Sequence, residues 1–132
     1  MREFKFRLWD TSNKEMYNKV IVGNYPDTVP MVWCEYNGKT DWHHIEPKVC
    51  KVMQYTGYKD VKGQEIYEGD ILAHQDYWWV RIEYYNGSFM VRDVDRIRYK
   101  NKVCEKRIGD FDISKWRVIG NIYENKELFL EI

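Results

Sequence analysis

Apolar and polar positions alternate with a period of two through much of this chain. Near the start, Phe4, Phe6 and Leu8 alternate with Lys5, Arg7 and Trp9. Near the end, Trp116, Val118 and Ile122 alternate with Arg117, Asn121 and Tyr123. A period of two puts successive side chains on opposite faces, which is the signature of a half-buried strand. Turn residues punctuate the pattern. Asp10–Lys14 reads as a turn into a second strand over Met16–Val22, and Asn24–Pro30, with two of the three prolines, reads as a loop. Asn37-Gly38 lies between Met31–Tyr36 and Lys39–Ile45, and Asn86-Gly87 lies between Tyr77–Tyr85 and Ser88–Arg92. Asn-Gly tolerates the two positive φ angles of a type I′ turn, so each pair predicts a hairpin. Tyr55–Glu65 reads as a long ordered loop or open hairpin, Gly69–His74 and Lys115–Tyr123 as strands, and Val94–Ile108 as one or two exposed strands. Gly120 inside a strand predicts a bulge or a close backbone approach. Asn125 is placed to cap a single helical turn over Lys126–Phe129.

Every proline precedes residue 48, which places a boundary near residues 46–52. The expected organisation is mainly β: an N-terminal strand and hairpin region over 1–50, suited to self-association, followed by a small SH3-like β-barrel over 51–132. Composition strengthens this reading. Valine and isoleucine total 23 residues against five alanines and leucines, with 11 tyrosines and six tryptophans. β-branched and aromatic side chains suit a pleated sheet and are mediocre in helices. The longest apolar runs span four residues, Met31–Cys34 and Tyr77–Val80, far short of the ~20 a bilayer-spanning helix needs. The N-terminus has no apolar signal core, and the three cysteines form no C-x-x-C pair. A cytoplasmic chain with reduced thiols is the expectation, with no membrane and no secretion.

Three segments resemble the YopX family, whose members occur in phages and prophages of low-GC Gram-positive bacteria. The central one is Met53-Gln54-Tyr55-Thr56-Gly57-Tyr58-Lys59-Asp60, then Gly63, then Glu65-Ile66-Tyr67-Glu68-Gly69-Asp70-Ile71. Val118–Asn125 resembles the family's closing motif, with Lys126 where proline often follows, and Phe6–Asp10 with Lys14 and Met16 resembles the opening one. The resemblance implies a phage or prophage origin, the host bacterial cytoplasm, and a mainly β fold with an SH3-like C-terminal part. It implies no activity and carries over no catalytic or binding residue. On physical grounds the glycines of the central motif suit sharp turns, and Asp60 and Asp70 suit the role of accepting backbone N–H groups. The functional alternative is a binding loop made by Tyr55, Gly57, Asp60, Tyr67 and Asp70.

Candidate chemistry is sparse. His43-His44, near Cys34 and Cys50, lacks zinc-finger spacing, and on a strand the two imidazoles diverge. Asp110 and Asp112 resemble a carboxylate pair, but Gly109 favours a turn and no Lys or His nearby completes a catalytic set. No Gly-rich phosphate loop or nucleophile motif occurs. No metal or cofactor is expected, and an enzyme is the least favoured class.

The 21 basic and 21 acidic residues cancel overall but not locally. Residues 92–107 carry seven basic and three acidic groups, a net +4, within an otherwise acidic second half. Arg96, Arg98, Lys100 and Lys102 alternate, so a strand would align them on one face. Together with Arg92 and exposed aromatics at Tyr77, Trp78 and Trp79 they form a candidate single-stranded nucleic-acid surface. Edge protection and ion pairing account for the same residues without a ligand. Two functions follow: a non-enzymatic protein-interaction module, homo-oligomeric and holding a host or phage protein, or a nucleic-acid-binding accessory protein using 92–107.

Overall fold

The computed structural model describes residues 3–24, 27–74, 78–94 and 105–127. The chain divides into two units, Phe4–Gln54 and the chain from Tyr55 onward together with Met1–Glu3. The division falls inside a strand, a few residues beyond the expected 50/51 boundary. Nearly all regular structure is β, and among the described residues no helix is long and apolar enough to cross a membrane.

In the N-terminal unit, β1 (Phe6–Asp10) pairs on one side with β2 (Glu15–Tyr17) and on the other with the first half of β6 (Cys50–Lys59). A second, three-stranded sheet runs β3 (Val20–Ile21), β4 (Met31–Tyr36), β5 (Lys39–His44). The single strand expected over Met16–Val22 is thus two short ones, with a bend at Asn18–Lys19 between them. β2 goes to β1 and β3 goes to β4. The β4–β5 hairpin is as the sequence predicts: Asn37 and Gly38 adopt φ of 55° and 76°, and Tyr36 pairs with Lys39. Leu8, Val32 and Cys50 form this unit's buried cluster, flanked by Tyr17, Val20, Cys34, Ile45 and Val52.

In the C-terminal unit, the second half of β6 pairs with β7 (Glu65–Tyr67). A five-stranded antiparallel sheet follows in the order β11 (Glu105–Arg107), β10 (Ser88–Asp93), β9 (Trp78–Tyr85), β8 (Asp70–His74), β12 (Arg117–Asn121). It curls into a half-barrel, in keeping with the small barrel expected. Asn86 and Gly87, with φ of 50° and 77°, close the β9–β10 hairpin. The register of β12 shifts between Val118 and Gly120, where the sequence predicts a bulge. The core gathers Ile66, Leu72, Val80, Ile82, Val91, Ile108, Ile113 and Trp116. Ile108 and Ile113 reach it from the 3-10 turns Ile108–Asp110 and Ile113–Lys115.

Trp78 lies on the core side of β9, in step with Val80 and Ile82, and packs edge-on to Trp116 at 5.4 Å. Its indole N–H donates to Asp93 at 3.0 Å. Trp78 and Trp79 are half-buried rather than exposed as expected, Trp78 because it stands in the core-facing phase of β9. Tyr77 lies outside the described residues.

Candidate functional site

The central motif builds a hub around Asp60, which is 7% exposed. One carboxylate oxygen accepts the N–H groups of Lys62 and Gln64, both at 2.8 Å. The other accepts the Val118 N–H at 2.9 Å, 58 residues away in sequence. The Val61 N–H donates to the Trp116 carbonyl at 2.8 Å. The hairpin turn is therefore locked to the closing strand by a charged acceptor, a stronger bond than a neutral one. Asp70, 1% exposed, accepts the Tyr67 N–H at 2.8 Å. Gly69 donates to the Ile82 carbonyl and accepts from the Ile122 N–H. Tyr55 and Tyr67 are buried with ring centres 5.6 Å apart. Of the five candidate loop residues, only Gly57 is exposed, at φ 88°. The other four have their side chains committed to the fold.

The closing motif is similarly self-contained. The Asn121 side-chain oxygen accepts the N–H groups of Tyr123 and Glu124, and its amide donates to Glu124. Asn125 accepts the Asn121 N–H at 3.1 Å. That contact occupies the side chain expected to cap residues 126–129, whose last two lie outside the described residues. Asn121 was not singled out from sequence, although its 6% exposure makes it a buried polar anchor.

Of the basic candidates, Arg92 is described, and Arg96, Arg98, Lys100 and Lys102 lie outside the described residues. Arg92 pairs with Glu83 at 2.7 Å and Glu105 at 2.9 Å and sits over the Tyr85 ring at 4.8 Å. Directly opposite it, Arg81 approaches the same Glu83 at 3.2 Å. Asp110 pairs with Arg107 at 3.2 Å, while Asp112 accepts the Ser114 hydroxyl at 2.6 Å and lies 3.9 Å from Lys115.

Concave surface appears in the N-terminal unit, where the sequence offered only His43-His44 with Cys34 and Cys50, a set that lacks metal-site spacing. A cleft of about 780 Å³ is lined by the turn after β1, by β2, by the β4–β5 hairpin and by the segment leading into β6. Tyr17, Tyr36, Ile45 and Val49 give it apolar walls. Asp10, Glu15, Glu35 and Glu46 give it an acidic lining. No signal in the sequence points to it, because its residues are contributed by four separate segments. Asp10 is tied down by the Ser12 hydroxyl at 2.7 Å, the Ser12 N–H at 2.9 Å and Asn13. Burial opposes its ionisation, but these hydrogen bonds outweigh burial and hold the carboxyl below its ordinary value. The Tyr17 hydroxyl donates to Glu15 at 2.8 Å. Burial, then that bond and the Glu15 charge, push the phenol pKa well up. Burial and the Glu15 charge raise the Cys34 thiol, and burial and the Asp10 charge raise Cys50 to about 11. Cys50 directs its sulfur at the Glu46 carbonyl, 3.2 Å away.

His43 packs edge-on to Tyr36 at 5.7 Å. Among the described residues no group of three or more His, Cys, Asp or Glu side chains is arranged to hold a metal ion.

These features define a mainly β protein of two units, in which an aspartate-centred hairpin is locked to the closing strand. The chain belongs to the YopX family: the family model described as YopX protein matches residues 5–130. Among solved structures it is similar to protein EF1440 from Enterococcus faecalis, at 27% identity and a TM-score of 0.64. That similarity covers 98% of this chain and 99% of the other. It is also similar in fold to protein YopX from Bacillus subtilis, at 20% identity and a TM-score of 0.58, over 95% of each chain. No curated protein matches the sequence.

Proposed function

We propose that this protein is a non-enzymatic protein-interaction module of phage or prophage origin, working in the host cytoplasm. Its N-terminal cleft takes a Lys- or Arg-bearing segment of a host or phage protein. The observation that carries this reading is the cleft itself: about 780 Å³, with tyrosine and aliphatic walls and four carboxylates in its lining. Asp10 is kept ionised and saturated with hydrogen bonds. Both thiols are raised, the direction opposite to that of an activated nucleophile. An acidic groove with aromatic walls suits a cationic, extended partner by charge and by stacking on Tyr17 and Tyr36.

The test is fluorescence anisotropy with a labelled peptide rich in Lys and Arg and a matched peptide rich in Glu. The basic peptide is expected to bind, more weakly as salt rises. The double variant Glu15→Lys/Glu46→Lys is expected to weaken it by about tenfold or more. Equal binding of both peptides, or binding untouched by the double variant, overturns the reading. The nucleic-acid alternative is tested alongside by gel shift with single-stranded DNA and RNA. Arg92 is already engaged by Glu83 and Glu105, which favours the protein reading.

A further inference from the structure

The three-stranded sheet β3–β4–β5 has two faces with different environments. On one, Val32 is fully buried with Leu8 and Cys50. The other carries Ile21, Met31, Trp33 and Trp42, set side by side by the registers Ile21↔Met31 and Trp33↔Trp42. Ile21 is 48% exposed and Trp33 39%. The two indoles pack edge to face at 5.5 Å, and the Lys19 ammonium lies 4.4 Å from the Trp33 ring and 5.9 Å from the Trp42 ring. Glu35, two residues along β4 from Trp33 and in the same strand phase, is exposed. Among the described residues neither Lys19 nor Glu35 forms an ion pair. An apolar aromatic surface on a sheet is what interfaces between chains are enriched in.

We infer that this face docks a second copy of the chain, as an isologous pair about a two-fold axis. The face is self-complementary in charge, holding one unneutralised cation and one unneutralised anion beside a single aromatic pair. A two-fold axis near the indoles brings Lys19 of each copy towards Glu35 of the other, so both charges are met twice by one contact.

The edge of β5 argues for face pairing over strand addition. Ile45 N–H donates to Pro30 O and Trp33 N–H to Lys19 O, which fixes the hydrogen-bonding phase of β4. In that phase Trp33↔Trp42 is a non-hydrogen-bonded pair, so the Trp42 N–H points away from β4. Asp41 captures it with a carboxylate oxygen at 2.8 Å. The middle of the exposed edge is therefore occupied by its own neighbour, a device that blocks edge-to-edge pairing.

Glu35 also lines the cleft, so pairing is read from mass alone, and the cleft test at Glu15 and Glu46 leaves Lys19, Trp33 and Glu35 intact. The experiment is light scattering coupled to size exclusion, from low to high micromolar protein. Wild type is expected at twice the monomer mass at the upper end. Trp33→Ser is expected to raise the dissociation constant by about tenfold or more with the circular dichroism spectrum unchanged. Lys19→Glu and Glu35→Lys are each expected to weaken pairing by about tenfold, and the double swap to restore it to within about threefold of wild type. A monomeric mass throughout overturns the inference and leaves the face to a different protein. So does a mass that climbs past two copies, pairing indifferent to Trp33→Ser, or a double swap that fails to restore it.

Discussion

The two units spend their side chains differently. Among the described residues, the C-terminal unit gathers eight buried residues into one core cluster, whereas the buried cluster of the N-terminal unit has three. At about 1.5–3 kcal/mol for each large apolar side chain buried, that difference separates a core that supports its own sheet from one that depends on other bonds. The N-terminal unit supplies those bonds through Asp10, with its four hydrogen bonds to Ser12 and Asn13, and through a tight Asn-Gly hairpin. It also leaves Trp33, Tyr36 and Ile21 exposed. The lesson is that a distinctive motif and a distinctive surface need not coincide. The central family motif lies almost wholly in the C-terminal unit, where Asp60 and Asp70 are consumed by backbone N–H groups. The cleft and the Trp33 face described above lie in the other unit.

Substitutions can break this comparison, and the largest effect is expected at Asp60. Asp60→Ala orphans three backbone N–H groups, two of them in its own turn and one on β12. A loss on the order of 4 kcal/mol is expected in chemical denaturation, with the Val118 amide losing hydrogen-exchange protection. A loss below about 1 kcal/mol would show that the motif is not the structural hub described. Next, Leu8→Ala empties the centre of the smaller cluster and is expected to cost about 3 kcal/mol. Exchange should accelerate at Val32 and Trp9 and stay unchanged at Val80 and Ile82. Uniform acceleration would mean that the two clusters melt as one.

Alkaline pH sharpens the contrast further. Cys50 ionises near the ordinary thiol value of 9.0 when unfolded and near 11 when folded. Between these values the unfolded chain has lost a proton that the folded chain keeps, so stability is full below pH 9 and falls as pH rises towards 11. The Cys50 share of the loss is expected to reach about 2–3 kcal/mol, and Cys50→Ala should make the slope shallower in pH-dependent denaturation, leaving the part that the raised Cys34 and Tyr17 supply. The smallest effect is expected at the β9–β10 turn. Gly87 has φ 77°, and a Cβ added there would meet nothing within 4 Å, so Gly87→Ala encounters backbone strain alone. About 1 kcal/mol is expected in thermal melts, with the hairpin register unchanged by NMR.

Local signals were the legible part of the sequence. Both Asn-Gly hairpins, the turn after Asp10 and the bulge near Gly120 depend on residues adjacent in the chain, and all appear as read. The split of Met16–Val22 was not legible, because which neighbour each half pairs with is decided by residues far away. Trp78 shows a signal that was present and misweighted. Its phase with Val80 and Ile82 marks it as core-facing, while aromatic abundance suggested an exposed platform. The cleft could not be read at all, since Asp10, Tyr17, Cys34 and Glu46 share no motif and meet only after four segments fold.

The bond from Asp60 to Val118 also sets a schedule for the newborn chain. A ribosome adding about 5–20 residues per second needs roughly three to twelve seconds to travel the 58 positions between them. Throughout that interval the Asp60 carboxylate lacks one of its three donors, and β8, once made, lacks the strand that flanks it on one side. A nascent chain halted before residue 117 would emerge with a raw sheet edge, a template for joining other unfinished chains. Speed of synthesis over 60–118 sets how long that edge stays open.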